Sequence, residues 1–218
     1  MAKPKRSLAE RLLAAQVAID NAMTDEEVKT LIAAFGYDET RMNTGKALLN
    51  TVNQLQQTQQ KEYGDQFQAT DALNGLLMQA DAEYMRFIKI SRVALKSEHA
   101  LVQKLALNGR RKKSFSGWIA QAKQFYLNAL SDPAVIEKLG GYGMTQEKLE
   151  AGKALLEQTE TANATQKKEK GEAQQATLDR DKALDELEEW LGDFIAITRI
   201  ALEDKPQLLE KLGIVEPS

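Results

Sequence analysis

Residues 56–66 read Gln-Gln-Thr-Gln-Gln-Lys-Glu-Tyr-Gly-Asp-Gln, and residues 163–173 read Asn-Ala-Thr-Gln-Lys-Lys-Glu-Lys-Gly-Glu-Ala. Apolar residues near a 3.5-residue period flank both stretches. The first is bracketed by Leu49 and Val52 before it and by Leu73, Leu77, Ala80, Tyr84 and Phe87 after it. The second lies between Leu149 and Leu156 on one side and Leu184, Leu187, Leu191 and Phe194 on the other. Two folds are compatible with this pattern. Gly64 and Gly171 can sit at the tips of antiparallel hairpins whose arms run about 25–30 residues. Alternatively each region is one helix of about 57 residues, since the heptad phase survives across the glycine. A polar tip needs no core, whereas the solvated middle of a long helix needs a neighbour. The balance favours the hairpin. The fold expected is all-α, with long helical hairpins forming up-down, coiled-coil-like bundles. Five helices per copy follow, in the first copy at 6–22, 25–34, 39–62, 66–96 and 98–107.

Working outward, the two stretches are in register at an offset of 107 residues. Gly45-Lys46-Ala47-Leu48-Leu49 recurs as Gly152-Lys153-Ala154-Leu155-Leu156, and Gln68-Ala69-Thr70 as Gln175-Ala176-Thr177. Phe87-Ile88, Ile90, Arg92 and Ala94-Leu95 recur as Phe194-Ile195, Ile197, Arg199 and Ala201-Leu202. Without a gap, 27 of the 88 pairs from Ala22/Ala129 to Gly109/Glu216 are identical. For a composition this biased, chance gives on the order of 10%. The chain therefore reads as a tandem duplication, with modules at 1–109 and 110–218. Punctuation agrees between copies. Thr24 and Ser131 are expected N-caps, Thr24 forming a capping box with Glu27. Pro133 suits a first turn, Gly36 and Gly143 suit helix stops, and Asp38 and Thr145 suit the next N-caps.

Composition narrows the function. The 218 residues include no Cys and one His, with 29 basic and 32 acidic residues giving a net charge of −3. Disulfides, thiolate chemistry, Cys-ligated metals and any site needing two imidazoles are excluded. No global basic field recruits nucleic acid. With no signal-like apolar run and no stretch of 18 apolar residues, the expected location is cytoplasmic.

Candidate residues are few. Gly45-Lys46 and Gly152-Lys153 lack the Ser/Thr, the earlier glycine and the strand of a phosphate loop, and suit close helix packing instead. His99 has no counterpart at Pro206 and reads as a surface residue. The run Asp185, Glu186, Glu188, Glu189 and Asp193 puts carboxylates on one helix face; a solvated surface is the reading, with a cation-dependent enzyme as the remote alternative. Arg92 and Arg199, set in apolar helix, are expected to be buried charges with a carboxylate partner or a snorkelling stem; a structural ion pair is the reading, with an anion site as the alternative. Basic residues gather at Lys3, Lys5 and Arg6 and again at Arg110, Arg111, Lys112 and Lys113, after the Asn108-Gly109 linker. The second group could hold a polyanion, a nucleic acid or an anionic surface, although no aromatic residue is interleaved for base stacking. Trp118, Phe115, Ile119, Phe125 and Tyr126 enrich the opening of the second copy and suit an interface between copies. No catalytic, cofactor-binding or metal-ligating residue is nominated. The function expected is a non-enzymatic helical scaffold or protein-interaction module, its partner another protein or a second copy.

Overall fold

The computed structural model describes residues 6–214. Among these, the chain forms eight helices and no strand: α1 (Leu8–Thr24), α2 (Glu26–Ala33), α3 (Glu39–Ala94), α4 (His99–Lys104), α5 (Phe115–Leu130), α6 (Pro133–Gly140), α7 (Gln146–Ala201) and α8 (Gln207–Lys211). Among the described residues, no helix is long and apolar enough to cross a membrane. The bounds of α2 and α3, moved by 107 residues, coincide with those of α6 and α7.

The hairpins are not formed. α3 and α7 are single helices of 56 residues each. Gly64 and Gly171 are helical residues, since positive φ among glycines is confined to Gly36, Gly109, Gly143 and Gly213. One glycine costs a helix about 1 kcal/mol relative to alanine, and no proline stands nearby to break the chain. Each half of the chain thus contributes four helices, the expected 39–62 and 66–96 having fused.

Caps follow the sequence with a shift of one residue. Asp25, not Thr24, caps α2 by accepting from the amides of Glu27 and Val28, and Asp132, not Ser131, caps α6. Thr24 and Ser131 donate their hydroxyls back to Asp20 and Asn128 carbonyls. A carboxylate is the stronger acceptor for orphan amides at the positive end of a helix, so it takes the cap. The capping box forms at α1 instead, between Ser7 and Glu10. Asp38 and Thr145 accept from Arg41 and Lys148 as anticipated, and Pro133 opens α6.

The chain packs as two compact units that differ from the 1–109 and 110–218 division. The first comprises residues 1–62 and 172–218, the second residues 63–171. Because α3 does not turn back, its C-terminal half packs with α5, α6 and the N-terminal part of α7. The first core joins Ile19, Val28, Ile32, Leu49 and Val52 to Leu187, Phe194 and Leu209. The second joins Tyr84, Phe87 and Leu105 to Trp118, Phe125, Tyr126 and Leu149. The aromatic set of α5 meets α3: Tyr84 lies edge-on to Trp118 and Phe125, and Phe87 to Tyr126.

Candidate functional site

Each unit is closed by the same polar latch. In the first, Asn21 donates its amide to the Lys211 carbonyl at 2.6 Å, and the Lys211 ammonium meets the Asp25 carboxylate at 2.8 Å. In the second, Asn128 donates to the Lys104 carbonyl at 2.6 Å, and Lys104 meets Asp132 at 2.9 Å. The lysine hydrogen bond, with help from backbone amides, holds both carboxyls below the ordinary aspartate value. Sequence reasoning missed this latch, although its three residue types recur at an offset of 107.

The repeated glycines open two sockets, filled from different helices. A Cβ on Gly45 would overlap the Trp190 ring of α7, which stacks on Phe194 with centroids 5.2 Å apart. A Cβ on Gly152 would lie 2.6 Å from the Tyr126 hydroxyl of α5. Burial pushes the Tyr126 phenol well above its ordinary value, and Tyr84 to about 12. The expected close approach at these glycines is therefore between helix backbone and aromatic ring.

The units part ways at one surface. In the first, a cavity of about 600 Å³ opens between α1, the C-terminal part of α7 and the turn after α8. Its floor is apolar, from Ala15, Ala18, Leu191, Ile195 and Ile214, and three arginines line it: Arg6, Arg11 and Arg199. One carboxylate, Glu188, also lines it and pairs with Arg11. The aligned surface of the second unit retains a void of only about 20 Å³. Larger side chains fill it. Gln121, Phe125 and Met85 stand where the first unit has Ala14, Ala18 and Gly192, and Trp118 stands where it has Arg11. The segment after α4 is also stitched across it. Arg92 donates to the carbonyls of Leu107 at 2.9 Å and Gly109 at 3.4 Å. Gln121 accepts from the Lys112 amide at 3.0 Å. Arg111 meets Asp81 at 2.6 Å and lies over the Trp118 ring.

These positions correct two expectations. Arg92 and Arg199 are exposed, not buried, and Arg92 holds backbone carbonyls where an ion pair was anticipated. Carbonyls in the coil after α4 lack ladder partners, and a guanidinium satisfies two at once. Of the basic group, Arg111 is committed to Asp81, while Arg110, Lys112 and Lys113 extend from exposed coil. Lys3 and Lys5 lie outside the described residues. His99 is exposed at the start of α4. In the acidic run, Glu188 pairs with Arg11 and Glu186 with Lys182, and no three carboxylates of that run converge on a common point. No protein-family model, curated protein or solved structure matches this chain.

Proposed function

We propose that this chain is a non-enzymatic helical scaffold that engages protein partners, a second copy of itself being the first to test. One observation carries the reading. Apolar side chains stand exposed at aligned positions of both units: Phe35 at 48% and Tyr142 at 55%, each just before a positive-φ glycine. Val93 and Ile200, near the ends of α3 and α7, repeat the pattern. A scattered exposed apolar residue needs no explanation. An exposed aromatic kept at the same place in both units is better accounted for by contact with a partner, since aromatic anchors dominate protein interfaces. The reading also takes the two sequence copies as descendants of one module of about 107 residues, supported by the 27 identities and the matched helix bounds.

The test is mass by light scattering across a concentration series, with Phe35→Ser and Tyr142→Ser beside the parent chain. A mass approaching twice 24.3 kDa, lost in the double variant, supports self-association. A constant monomer mass transfers the question to a different partner. Photoreactive phenylalanine at positions 35 and 142 then has to yield a discrete protein adduct in cells, and its absence overturns the reading.

A further inference from the structure

We infer, resting on the scaffold reading, that a second copy of the chain docks head to tail. The outer face of α7 in the first unit of one copy meets the outer face of α3 in the second unit of the other. Glu186, Glu189, Asp193, Ala196 and Ile200 of α7 recur every three or four residues and all stand exposed, so they share one helix face. The positions 107 residues earlier hold Gln79, Ala82, Arg86, Lys89 and Val93 of α3, also exposed. Each face ends on an exposed branched side chain, Ile200 or Val93. Their charges are opposite in sign.

Residues 182–204 carry seven acidic and two basic side chains, whereas residues 75–97 carry two acidic and four basic. Neighbouring helices do not level this difference. Tyr37 packs on Trp190 and Phe194, which places residues 25–46 beside the first face, and Lys138 pairs with Glu98, which places residues 132–153 beside the second. Those segments hold five acids with three bases and four acids with three bases, respectively. On the opposite flank Arg11 pairs with Glu188 and Arg111 with Asp81, cancelling one acid in each stretch. Glu186 and Arg86 are each paired within their own helix. Glu189, Asp193, Lys89 and Lys96 hold no ion pair among the described residues. Complementary potentials favour the acidic face against the basic one, and like charge disfavours either face against itself. A single such contact leaves one acidic and one basic face open, so copies add until the contacts close on themselves.

The experiment is light-scattering mass of the full chain across a concentration series, at low salt and at about 1 M salt, where the screening length falls to about 3 Å. Mass is expected to rise with concentration at low salt and to return to 24.3 kDa at high salt. Two variants reverse one face each at exposed positions: E186K/E189K/D193K turns the acidic face basic, and R86E/K89E turns the basic face acidic. Each alone is expected to associate about tenfold more weakly than the parent, with its melting midpoint little changed. An equimolar mixture of the two is expected to recover the parent's association, because one then supplies two basic faces and the other two acidic ones. A mixture that stays monomeric overturns the inference. So does association that ignores salt and both reversals; if Phe35→Ser with Tyr142→Ser still abolishes it, the aromatic contact stands without the charged one. A parent chain held at monomer mass also overturns it, while leaving the search for a different protein partner intact.

Discussion

The two units share a latch, a pair of caps and a glycine socket, yet they spend their aromatic residues differently. The second unit concentrates Trp118, Phe125 and Tyr126 on α5, and these close its surface against Tyr84 and Phe87. The first has Arg11, Ala18 and Ile19 at the aligned places and draws its large ring from α7 instead, as Trp190. Two units with matching helix bounds can therefore hold one backbone pattern while placing their large side chains on different helices. Packing needs total volume at the core, and which helix supplies it is free to change.

Exchanging residues between aligned positions breaks the comparison most strongly at Trp118. Trp118→Arg gives the second unit the first unit's residue at a site 1% exposed. It is expected to cost about 3–5 kcal/mol, the range for losing a large core aromatic, read as the shift in a urea unfolding midpoint. An unchanged midpoint would mean the two surfaces are interchangeable.

The sockets give a sharper test. Gly152→Ala alone is expected to destabilise by about 1–2 kcal/mol, because overlap with the Tyr126 ring outweighs the helix-propensity gain. In a Tyr126→Ile background, which copies the first unit, the same change is expected to stabilise by about 0.5–1 kcal/mol. A double-mutant cycle without this reversal of sign would show that the glycine serves something other than the ring.

The latch predicts a common acid response. Asp25 and Asp132 have depressed folded-state values, first through Lys211 and Lys104 respectively. Their contribution is complete above the unfolded aspartate value, about 3.9, and is lost as pH falls through the lower folded values. Replacing both, Asp25→Asn with Asp132→Asn, is expected to flatten stability against pH below about 4. Part of the dependence remains, because Glu10 and Glu147 are also lowered. A curve superimposable on the parent's would remove the latch from the acid response.

The smallest effect concerns the turns after α4 and α8. Gly213 has φ +68° and the aligned Ala106 has φ +51°. A left-handed alanine costs about 1 kcal/mol, partly offset by the unfolded-state entropy a glycine adds. Ala106→Gly is therefore expected to raise the melting midpoint slightly and Gly213→Ala to lower it.

Much of this architecture is legible in the residues. Helix-favouring composition, glycine stops at Gly36 and Gly143, and caps at Asp38 and Thr145 are local matters, decided within a turn or two of chain. The caps at Asp25 and Asp132 were missed by one residue because neighbouring hydroxyl and carboxyl groups compete and only the carboxylate faces the amides. The hairpin expectation failed at Gly64 and Gly171. Whether a polar stretch turns or continues depends on what lies beside it, as where Gln56 and Gln59 meet Arg180 and Thr177.

By itself the sequence determined the helical class and most helix ends, because these rest on short-range sterics and periodicity. Tertiary structure alone decided which halves of α3 and α7 share a core, which aromatic fills each glycine socket, and that one unit keeps a groove where the other is closed. Those outcomes depend on volumes and charges brought together from different helices, in the first unit from residues more than a hundred positions apart as with Gly45 and Trp190, and no local pattern encodes that sum.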